Sequence, residues 1–475
     1  MKSILALCAA LPIALAAQTF TTLHSFEGAD GANPDAGLVQ AANGDLYGTT
    51  FLGGANSRGT IFKITPGGTL TTLYSFCSRP NCADGGSPDA SLVQATNGDL
   101  YGTTSLSGAH GDNGTVFKIT PGGTFTSLYS FCALPNCADG AKPNAGLIQA
   151  INGDLYGTTE AGGANGGNGT VFKITPGGTL TTLYSFCALP DCADGASPDA
   201  GLIQAANGDF YGTTERGGAF SNAGTVFQIT PSGTLTTLHQ FCSVINCPDG
   251  SYPLAGLLQA TNGNLYGTTH LSGWAIPSNA GCCGTIFQIN PSGAFSTLYR
   301  FCALKECADG GDPAAALIQG NDGNLYGTTF LGGTGGGGIV FEITLSGTLT
   351  VLHNFDGTDG QDPVQLFQDT NGTFYGAAYY DFANEDGTIF SLSTGLGPFV
   401  RTLPAAGLAG TGVRILGTNL AGATGVTFNG TAAAFAVVSS SEIVAAVPSG
   451  ATSGKVEVVT PGGTLSSVVP FGVLP

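Results

Sequence analysis

The chain has 475 residues and a formal net charge of −18, from 31 acidic and 13 basic residues. Charged residues make up only 9% of it, whereas 42% are hydrophobic and 77 are glycine. A protein that binds duplex nucleic acid needs clustered Lys and Arg to displace phosphate counterions, so this composition argues against nucleic acid as a partner. Regularly spaced apolar residues between glycine turns indicate a packed β-protein rather than a disordered chain.

The N-terminus has the pattern of a secretory signal peptide. Lys2 supplies positive charge, an apolar run follows from Ile4 to Ala16, and Ala14-Leu15-Ala16 offers a cleavage site. We therefore expect residues 1–17 to be removed and the mature protein to be secreted. The run is too short for a membrane span. We expect no transmembrane segment elsewhere, because polar residues interrupt every other apolar stretch.

A five-residue phrase, Leu-Tyr-Gly-Thr-Thr, recurs along the chain with small variations. Its tyrosines are Tyr47, Tyr101, Tyr156, Tyr211, Tyr266, Tyr326 and, in a degenerate copy, Tyr375. Seven copies spaced by roughly 50 residues are typical of the blades of a β-propeller.

Each repeat contains four segments with the alternation and the β-branched or aromatic residues of strands. In the second repeat these are Ala90 to Ala95, Leu100 to Thr104, Gly114 to Thr120 and Thr124 to Phe131. Asn97-Gly98 joins the first two and predicts a two-residue type I′ hairpin turn. Helical periodicity of useful length does not occur.

The fourth-strand phrase also occurs once before the first complete repeat, from Phe20 to Phe26. We predict that this N-terminal strand pairs with the last repeat and closes the ring without a covalent bond, which removes exposed sheet edges. The sequence thus predicts a seven-bladed β-propeller over residues 18–395.

Five repeats carry a Cys-x-x-x-x-Cys motif just after the fourth strand. Disulfides are favoured over zinc binding, because the chain is expected to be exported and zinc sites use closer spacing with a second pair. The predicted pairs are Cys77–Cys82, Cys132–Cys137, Cys187–Cys192, Cys242–Cys247 and Cys302–Cys307. The adjacent Cys282 and Cys283 predict a vicinal disulfide, with a redox role as the alternative.

Long phrases of the repeat carry a family resemblance. Asn43 to Thr50 and Gly114 to Thr124 closely resemble the Gloeo/Verruco (GloVer) tandem repeat of bacterial surface and secreted proteins, and the resemblance covers residues 19–391. It implies a bacterial protein located outside the cell.

Residues 398–475 change in character. Val413 to Leu420, Gly425 to Gly430 and Gly454 to Thr460 resemble an IPT/TIG immunoglobulin-like domain. Short alternating strands between Gly and Pro turns favour a β-sandwich independently. The expected fold class is therefore all-β, a seven-bladed propeller followed by an immunoglobulin-like sandwich, and we expect a monomer.

An Asp-Gly pair follows every fourth strand and offers a candidate metal site. If these carboxylates approach the ring axis, they could bind a cation, for which calcium is the natural choice. The alternative, which we favour, is that each Asp caps its own turn. The residues are Asp30, Asp84, Asp139, Asp194, Asp249, Asp309 and Asp359.

Histidines offer no catalytic pattern. His24, His239 and His353 occupy the position that Tyr holds in other repeats, and His110 and His270 have no obvious partner in the sequence. Motifs of known hydrolases and nucleotide-binding proteins do not occur.

The fifth repeat has an enlarged loop from Leu271 to Gly284 with the single tryptophan, Trp274. Trp274 could stack on a sugar or anchor a protein, or it could fold back on neighbouring apolar surface. Since axial residues are expected to repeat, the favoured function is binding of a glycan or protein on the face that carries the long loops. The alternative is an extracellular propeller hydrolase or lactonase with a metal ion at the ring centre.

Overall fold

The computed structural model describes residues 18–271 and 283–474. The predicted signal peptide, Trp274 and Cys282 lie outside the described residues. Within the described ranges the chain is almost wholly β-structure, and no helix there has the length and apolar character that a membrane span requires. The helical segments in these ranges are 3₁₀ turns at Pro80–Cys82, Pro135–Cys137, Pro190–Cys192 and Lys305–Cys307.

The repeats form seven antiparallel sheets, and in the first six the four strands follow one another in sequence order. The first strands are Val39–Gln40, Val93–Gln94, Ile148–Gln149, Ile203–Gln204, Leu258–Gln259, Ile318–Gln319 and Phe367–Gln368. The second strands are Leu46–Thr50, Leu100–Thr104, Leu155–Thr159, Phe210–Thr214, Leu265–Thr269, Leu325–Thr329 and Phe374–Tyr380.

The third and fourth strands complete each sheet. The third strands are Thr60–Ile64, Thr115–Ile119, Thr170–Ile174, Thr225–Ile229, Thr285–Ile289, Ile339–Ile343 and Thr388–Ser393. The fourth strands are Leu70–Ser75, Phe125–Ser130, Leu180–Ser185, Leu235–Gln240, Phe295–Arg300 and Leu349–Asn354. The seventh sheet takes Thr19–Ser25 as its fourth strand and adds Gln361–Pro363 beside its second strand.

The hydrophobic core lies between successive sheets. Leu100 and Phe117 pack against the first repeat, whereas Tyr101 and Val116 pack against the third. Because neighbouring residues of a strand point to opposite faces, both faces of each central strand are buried, and the strand reads as a continuous buried run. The repeated phrase is therefore a packing motif.

Packing requires the glycine of the Leu-Tyr-Gly-Thr-Thr phrase. A Cβ atom on Gly102 would lie 2.6 Å from Cζ of Phe117 and 2.7 Å from Cδ2 of Leu92. The phenylalanine of the third strand thus packs directly over glycine backbone, and any side chain would displace it.

Glutamines at the ends of the first strands link each sheet to the next. Oε1 of Gln94 accepts a hydrogen bond from the backbone N–H of Ala42 at 3.0 Å. The same bond recurs at Gln149, Gln204, Gln259, Gln319 and Gln368. Gln40 donates from Nε2 to Oγ1 of Thr370 in the seventh sheet at 3.1 Å. The last sheet therefore contacts the first, and the sheets form a closed cycle.

The predicted pairing of the N-terminal strand is confirmed. Thr19–Ser25 runs antiparallel to Thr388–Ser393, from the pair Thr19 and Ser393 to the pair Ser25 and Thr388. Phe26, which follows, is fully buried in the core between the seventh and first sheets.

The predicted turn type at Asn97-Gly98 is wrong. Gly98 has a φ of +90°, but Asn97 is not among the residues with positive φ. The N–H of Gly98 donates to the carbonyl of Ala95, and the N–H of Ala95 donates to the carbonyl of Asp99. This is the pattern of a three-residue loop with a bulge at glycine. The reason is the Asn97 side chain, which accepts from the N–H of Asp99 and donates to the hydroxyl of Tyr101.

Beyond the repeats, the C-terminal unit contains two four-stranded sheets and a short parallel pair. One sheet contains Arg401–Leu403, Gly412–Leu416, Glu442–Ala446 and Phe435–Val437. The other contains Thr431–Ala432, Gly425–Phe428, Val456–Thr460 and Gly463–Ser466. Ala406–Gly407 pairs with Gly472–Val473. The unit has its own buried core, which includes Val413, Phe428, Ile443 and Val458.

Candidate functional site: an axial cavity

All seven repeats contribute to one cavity of about 380 Å³. The first lining residue that each repeat contributes is, in chain order, Asp35, Asp89, Asn144, Gly201, Leu254, Ala314 and Val364. In the second repeat the first strand was predicted to span Ala90 to Ala95 but pairs only over Val93–Gln94. The shortening follows from the cavity, because Ala90 faces open space rather than a neighbouring strand.

The cavity has one polar wall and one apolar wall. Asp35, Asp89 and Asn144 come from the first three repeats, whereas Leu254 and Ala314 come from the fifth and sixth. The expectation of repetitive axial residues is therefore wrong. The available signal was the residue after the proline that precedes each first strand, since this position changes between acid, amide and aliphatic side chains along the repeats.

Asp35 and Asp89 form a carboxyl pair in the polar wall. Burial raises the pKa of Asp89 well above its usual range, and the charge of Asp35 and their shared hydrogen bond raise it further. Burial also raises the pKa of Asp35, while the bond from Asp89 opposes that rise. The opposite signs of the shared hydrogen bond favour ionisation of Asp35 before Asp89.

Asn144 connects the cavity to two further acids. Its Nδ2 donates to Oδ1 of Asp199 at 2.8 Å and to Oε2 of Glu160 at 3.1 Å. Burial raises the pKa of Asp199 to about 6; the bond from Asn144 opposes this, and the charges of Glu160 and Glu215 add to it. Asn144 lines the cavity, whereas Asp199 and Glu160 do not, so the two acids hold the amide of the polar wall from outside it.

Small residues narrow the axis where the first strands approach one another. A Cβ atom on Gly146 would lie 3.0 Å from the carbonyl oxygen of Ser91, and one on Gly201 would lie 3.2 Å from that of Gly146. Gly256 has more room, since its nearest contacts would be 3.5 Å away at Gly201 and 3.9 Å away at Ala316. A larger side chain at Gly256 would enter the cavity.

The polar wall lies at the end of the axis that carries the long loops. The loops between second and third strands share one face with the disulfide loops, and the N–H of Gly108 donates to the carbonyl of Cys82 at 3.1 Å. The N–H of Gly163 makes the matching bond to Cys137 at 2.8 Å. We call this face the long-loop face. Most of the loop with Trp274 lies outside the described residues.

The predicted disulfides are confirmed. The bonded pairs are Cys77–Cys82, Cys132–Cys137, Cys187–Cys192, Cys242–Cys247 and Cys302–Cys307. Cys283 is buried. Because Cys282 lies outside the described residues, their predicted pairing stays a prediction.

The repeated Asp-Gly aspartates bond to their own loops. Asp194 is fully buried and accepts from the N–H groups of Ala188 at 2.9 Å and Leu189 at 3.1 Å. The hydroxyl of Tyr184 donates to the same carboxylate at 2.8 Å. Equivalent bonds hold Asp84, Asp139 and Asp309.

In the other three repeats a histidine replaces that tyrosine. Nε2 contacts the carboxylate in the pairs His24–Asp30, His239–Asp249 and His353–Asp359, at 2.8, 2.9 and 2.7 Å. None of the seven aspartates lines the axial cavity, because the chain reaches the axis only five residues later. Among the described residues, no group of three or more His, Cys, Asp and Glu is placed to hold a metal ion.

His270 was expected to have no partner and instead contacts Asp312 through Nδ1 and Oδ1. It follows a second strand, at the position that Glu160 and Phe330 hold in other repeats. At this position Phe330 lines the cavity, whereas Glu160 and His270 do not. Its variation was visible in the sequence but does not follow any known motif.

The fold and cavity define a class of repeat protein in which antiparallel four-stranded sheets surround a common axis. The model of the Gloeobacter/Verrucomicrobia repeat matches residues 11–193, 133–306 and 245–435. The chain belongs to this repeat family. No curated protein matches the sequence.

Solved structures show distant similarity. A surface component of the type-IX secretion system of Porphyromonas gingivalis, PorZ, has a TM-score of 0.46 at 16% identity, over 91% of this chain and 58% of that one. A Bacteroides uniformis protein assigned provisionally as a 6-phosphogluconolactonase has a TM-score of 0.44 at 18% identity, over 67% and 84%. A fungal alcohol oxidase has a TM-score of 0.41 at 14% identity, over 93% and 85%. At these scores the likeness identifies neither an activity nor a ligand for this chain.

Proposed function

We propose that residues 18–395 are a seven-bladed β-propeller and that residues 398–475 are an immunoglobulin-like IPT/TIG domain. The cycle of glutamine hydrogen bonds and the N-terminal strand in the seventh sheet support the first assignment. Two sheets around one apolar core support the second.

The protein acts outside the cell as a monomer, after removal of residues 1–17. Five disulfides support this location, because such bonds persist in oxidising compartments. Membership of the repeat family, whose phrases resemble those of bacterial surface and secreted proteins, agrees with an extracellular location.

Its function is binding, and the ligand is the polyhydroxylated end of a glycan seated in the axial cavity. The observation that carries this proposal is the division of the cavity into an acceptor-rich wall and an apolar wall. Sugar hydroxyls donate hydrogen bonds to carboxylates such as Asp35, and the C–H face of a sugar packs on Phe330 or Leu254. Ligand sites commonly combine a mostly apolar lining with a few placed polar groups.

The cavity favours a donor-rich ligand for an energetic reason. Asp35 and Asp89, which line the cavity, are partly desolvated, which raises the pKa of each. Bound hydroxyl groups would replace the lost water as hydrogen-bond donors to these oxygens. Trp274 lies outside the described residues, and we propose it as a further contact for a longer glycan or for a protein.

A hydrolase or lactonase with a metal ion at the ring centre is the second candidate. The unequal side chains of the polar wall favour it, since catalysis needs distinct groups in distinct roles. The residues as placed do not fit a resident ion: Asp35 bonds to Asp89, and Asn144 bridges Asp199 and Glu160. We therefore derive no catalytic step. Calcium at the repeated aspartates is the less favoured interpretation, and calorimetric titration and melting with and without chelator test it.

A glycan array followed by calorimetry tests the proposal. Gly256→Leu fills the cavity without forcing a positive φ, so we expect at least about tenfold weaker binding of any glycan that the array identifies. The matched control is Gly412→Leu in the C-terminal unit, where an added Cβ meets nothing within 4 Å; this variant should bind as the wild type does.

Two outcomes would contradict the axial site. Unchanged affinity in Gly256→Leu, with affinity lost in Trp274→Ala, would move the ligand to the loop. Turnover of a lactone or ester that chelation abolishes would replace binding by catalysis.

A further inference from the structure

The seventh sheet is the only place, within the described residues, where a repeat is assembled from both ends of the chain. Its third strand, Thr388–Ser393, belongs to the C-terminal side, and its fourth strand, Thr19–Ser25, leads into the first repeat. We call the junction of these two strands the seam. Only hydrogen bonds and packing hold it, so the cycle can open there without breaking a covalent bond.

The C-terminal unit is anchored on one side of the seam. Nη2 of Arg401 donates to the carbonyl of Gln368 at 2.9 Å, and its guanidinium lies 4.5 Å from the ring centroid of Phe367. The N–H of Phe399 donates to the carbonyl of Thr370 at 2.9 Å. These contacts hold the segment that connects the seventh sheet to the C-terminal unit against the seventh sheet.

The same unit reaches the first repeat on the other side of the seam. Oγ of Ser441 donates to the carbonyl of Ala42 at 2.9 Å. A Cβ atom on Gly44 would lie 3.7 Å from Cβ of Ser441. Arg414 faces the second repeat, where its Nη1 lies 3.6 Å from the Cβ position of Gly98. The unit thus contacts the chain on both sides of the junction.

We propose that the C-terminal unit is a clamp on the seam: opening the cycle requires Ser441 to leave the first repeat. The clamp also matters for the cavity, because Gln365 and Asp35 line it from opposite sides of the seam. An open seam would separate these walls. This inference does not depend on which ligand the cavity takes.

An engineered disulfide tests the clamp in the full mature chain. In Gly44→Cys/Ser441→Cys, the Cβ separation of 3.7 Å lies in the range of native disulfides. Amide hydrogen exchange is measured in Thr19–Ser25 and, as an internal reference, in Leu180–Ser185 on the far side of the cycle. The control is the same protein with only the engineered pair reduced and the five native disulfides shown to be intact by mass spectrometry, so the strain of Cys at Gly44 cancels.

We expect oxidation to slow exchange in Thr19–Ser25 at least about threefold and to leave Leu180–Ser185 unchanged. Ser441→Ala removes the hydrogen bond to Ala42 and the contact with Oγ of Ser439. Since only the bond to Ala42 crosses to the first repeat, this variant should speed exchange in Thr19–Ser25 by about fivefold, whereas Ser449→Ala at an exposed position should not. Equal exchange in the oxidised and reduced forms would overturn the proposal, because the seam would then open without moving the C-terminal unit.

Discussion

Asp194 and Asp199 lie five residues apart in one connection between repeats, yet their surroundings differ in kind. Asp194 bonds to its own loop and to Tyr184 of its own repeat, and its equivalent recurs in every repeat. Asp199 accepts from Asn144 of the preceding repeat, beside the cavity, and other repeats have Leu254 or Ala314 in its place. A residue shared by all repeats is thus explained by the fold, whereas one that varies around the axis needs another explanation.

The largest expected effect is on the repeated aspartate. Asp194→Ala leaves the N–H groups of Ala188 and Leu189 and the hydroxyl of Tyr184 without their acceptor. We expect a loss of about 3 kcal/mol in the free energy of unfolding, since hydrogen bonds to charged groups contribute about 1.5–3 kcal/mol each and partly relax when broken. Denaturant unfolding measures it. The exposed Asp112→Ala serves as control, and an equally small loss in both variants would refute the structural role.

The axial aspartate should have an effect of opposite sign near neutral pH. Burial raises the pKa of Asp199 to about 6 from 3.8. The folded state therefore binds more protons than the unfolded state between these values, and stability falls as pH rises through that window. Asp199→Asn should be more stable than the wild type at pH 7.5 by about 1–2 kcal/mol, with a shallower decline from pH 5.

Thermal unfolding at pH 5 and pH 7.5 checks this prediction, again with an exposed control, Asp112→Asn. The slope should not vanish in Asp199→Asn, because burial also raises the pKa values of Asp35 and Asp89. If Asp199→Asn instead lost stability at pH 7.5, Asp199 would be a structural residue like Asp194, and the comparison between the two would fail.

The smallest effect on stability is expected when a residue is replaced by the one that other repeats have at the equivalent position. His239 stacks on Phe295 with ring centroids 3.9 Å apart and contacts Asp249, whereas Tyr74 stacks on Phe125 at 4.0 Å and donates to its own aspartate. His239→Tyr should therefore change the free energy of unfolding by less than about 0.5 kcal/mol. A loss above about 2 kcal/mol would mean that the repeats are not interchangeable there.

The sequence by itself determined the repeat, its strands, the pairing of the N-terminal strand and the five disulfides. These features follow from local patterns that recur in order, such as Leu-Tyr-Gly-Thr-Thr and Cys-x-x-x-x-Cys. Recurrence made them visible, because each copy repeats the same packing problem. The bulged turn at Asn97-Gly98 could not be predicted from the local pattern, since the Asn97 side chain bonds to Tyr101 of the following strand.

The axial cavity and the clamp on the seam were decided only by the tertiary structure. Asp35, Asp89 and Asn144 lie in three different repeats, far apart in the sequence. Their chemistry exists only when the closed cycle brings them to one wall, where burial raises the pKa values of both carboxyls and the charge of Asp35 raises that of Asp89 further. Ser441 meets Ala42 for the same reason: residues far apart in sequence become neighbours only when the two ends of the chain meet.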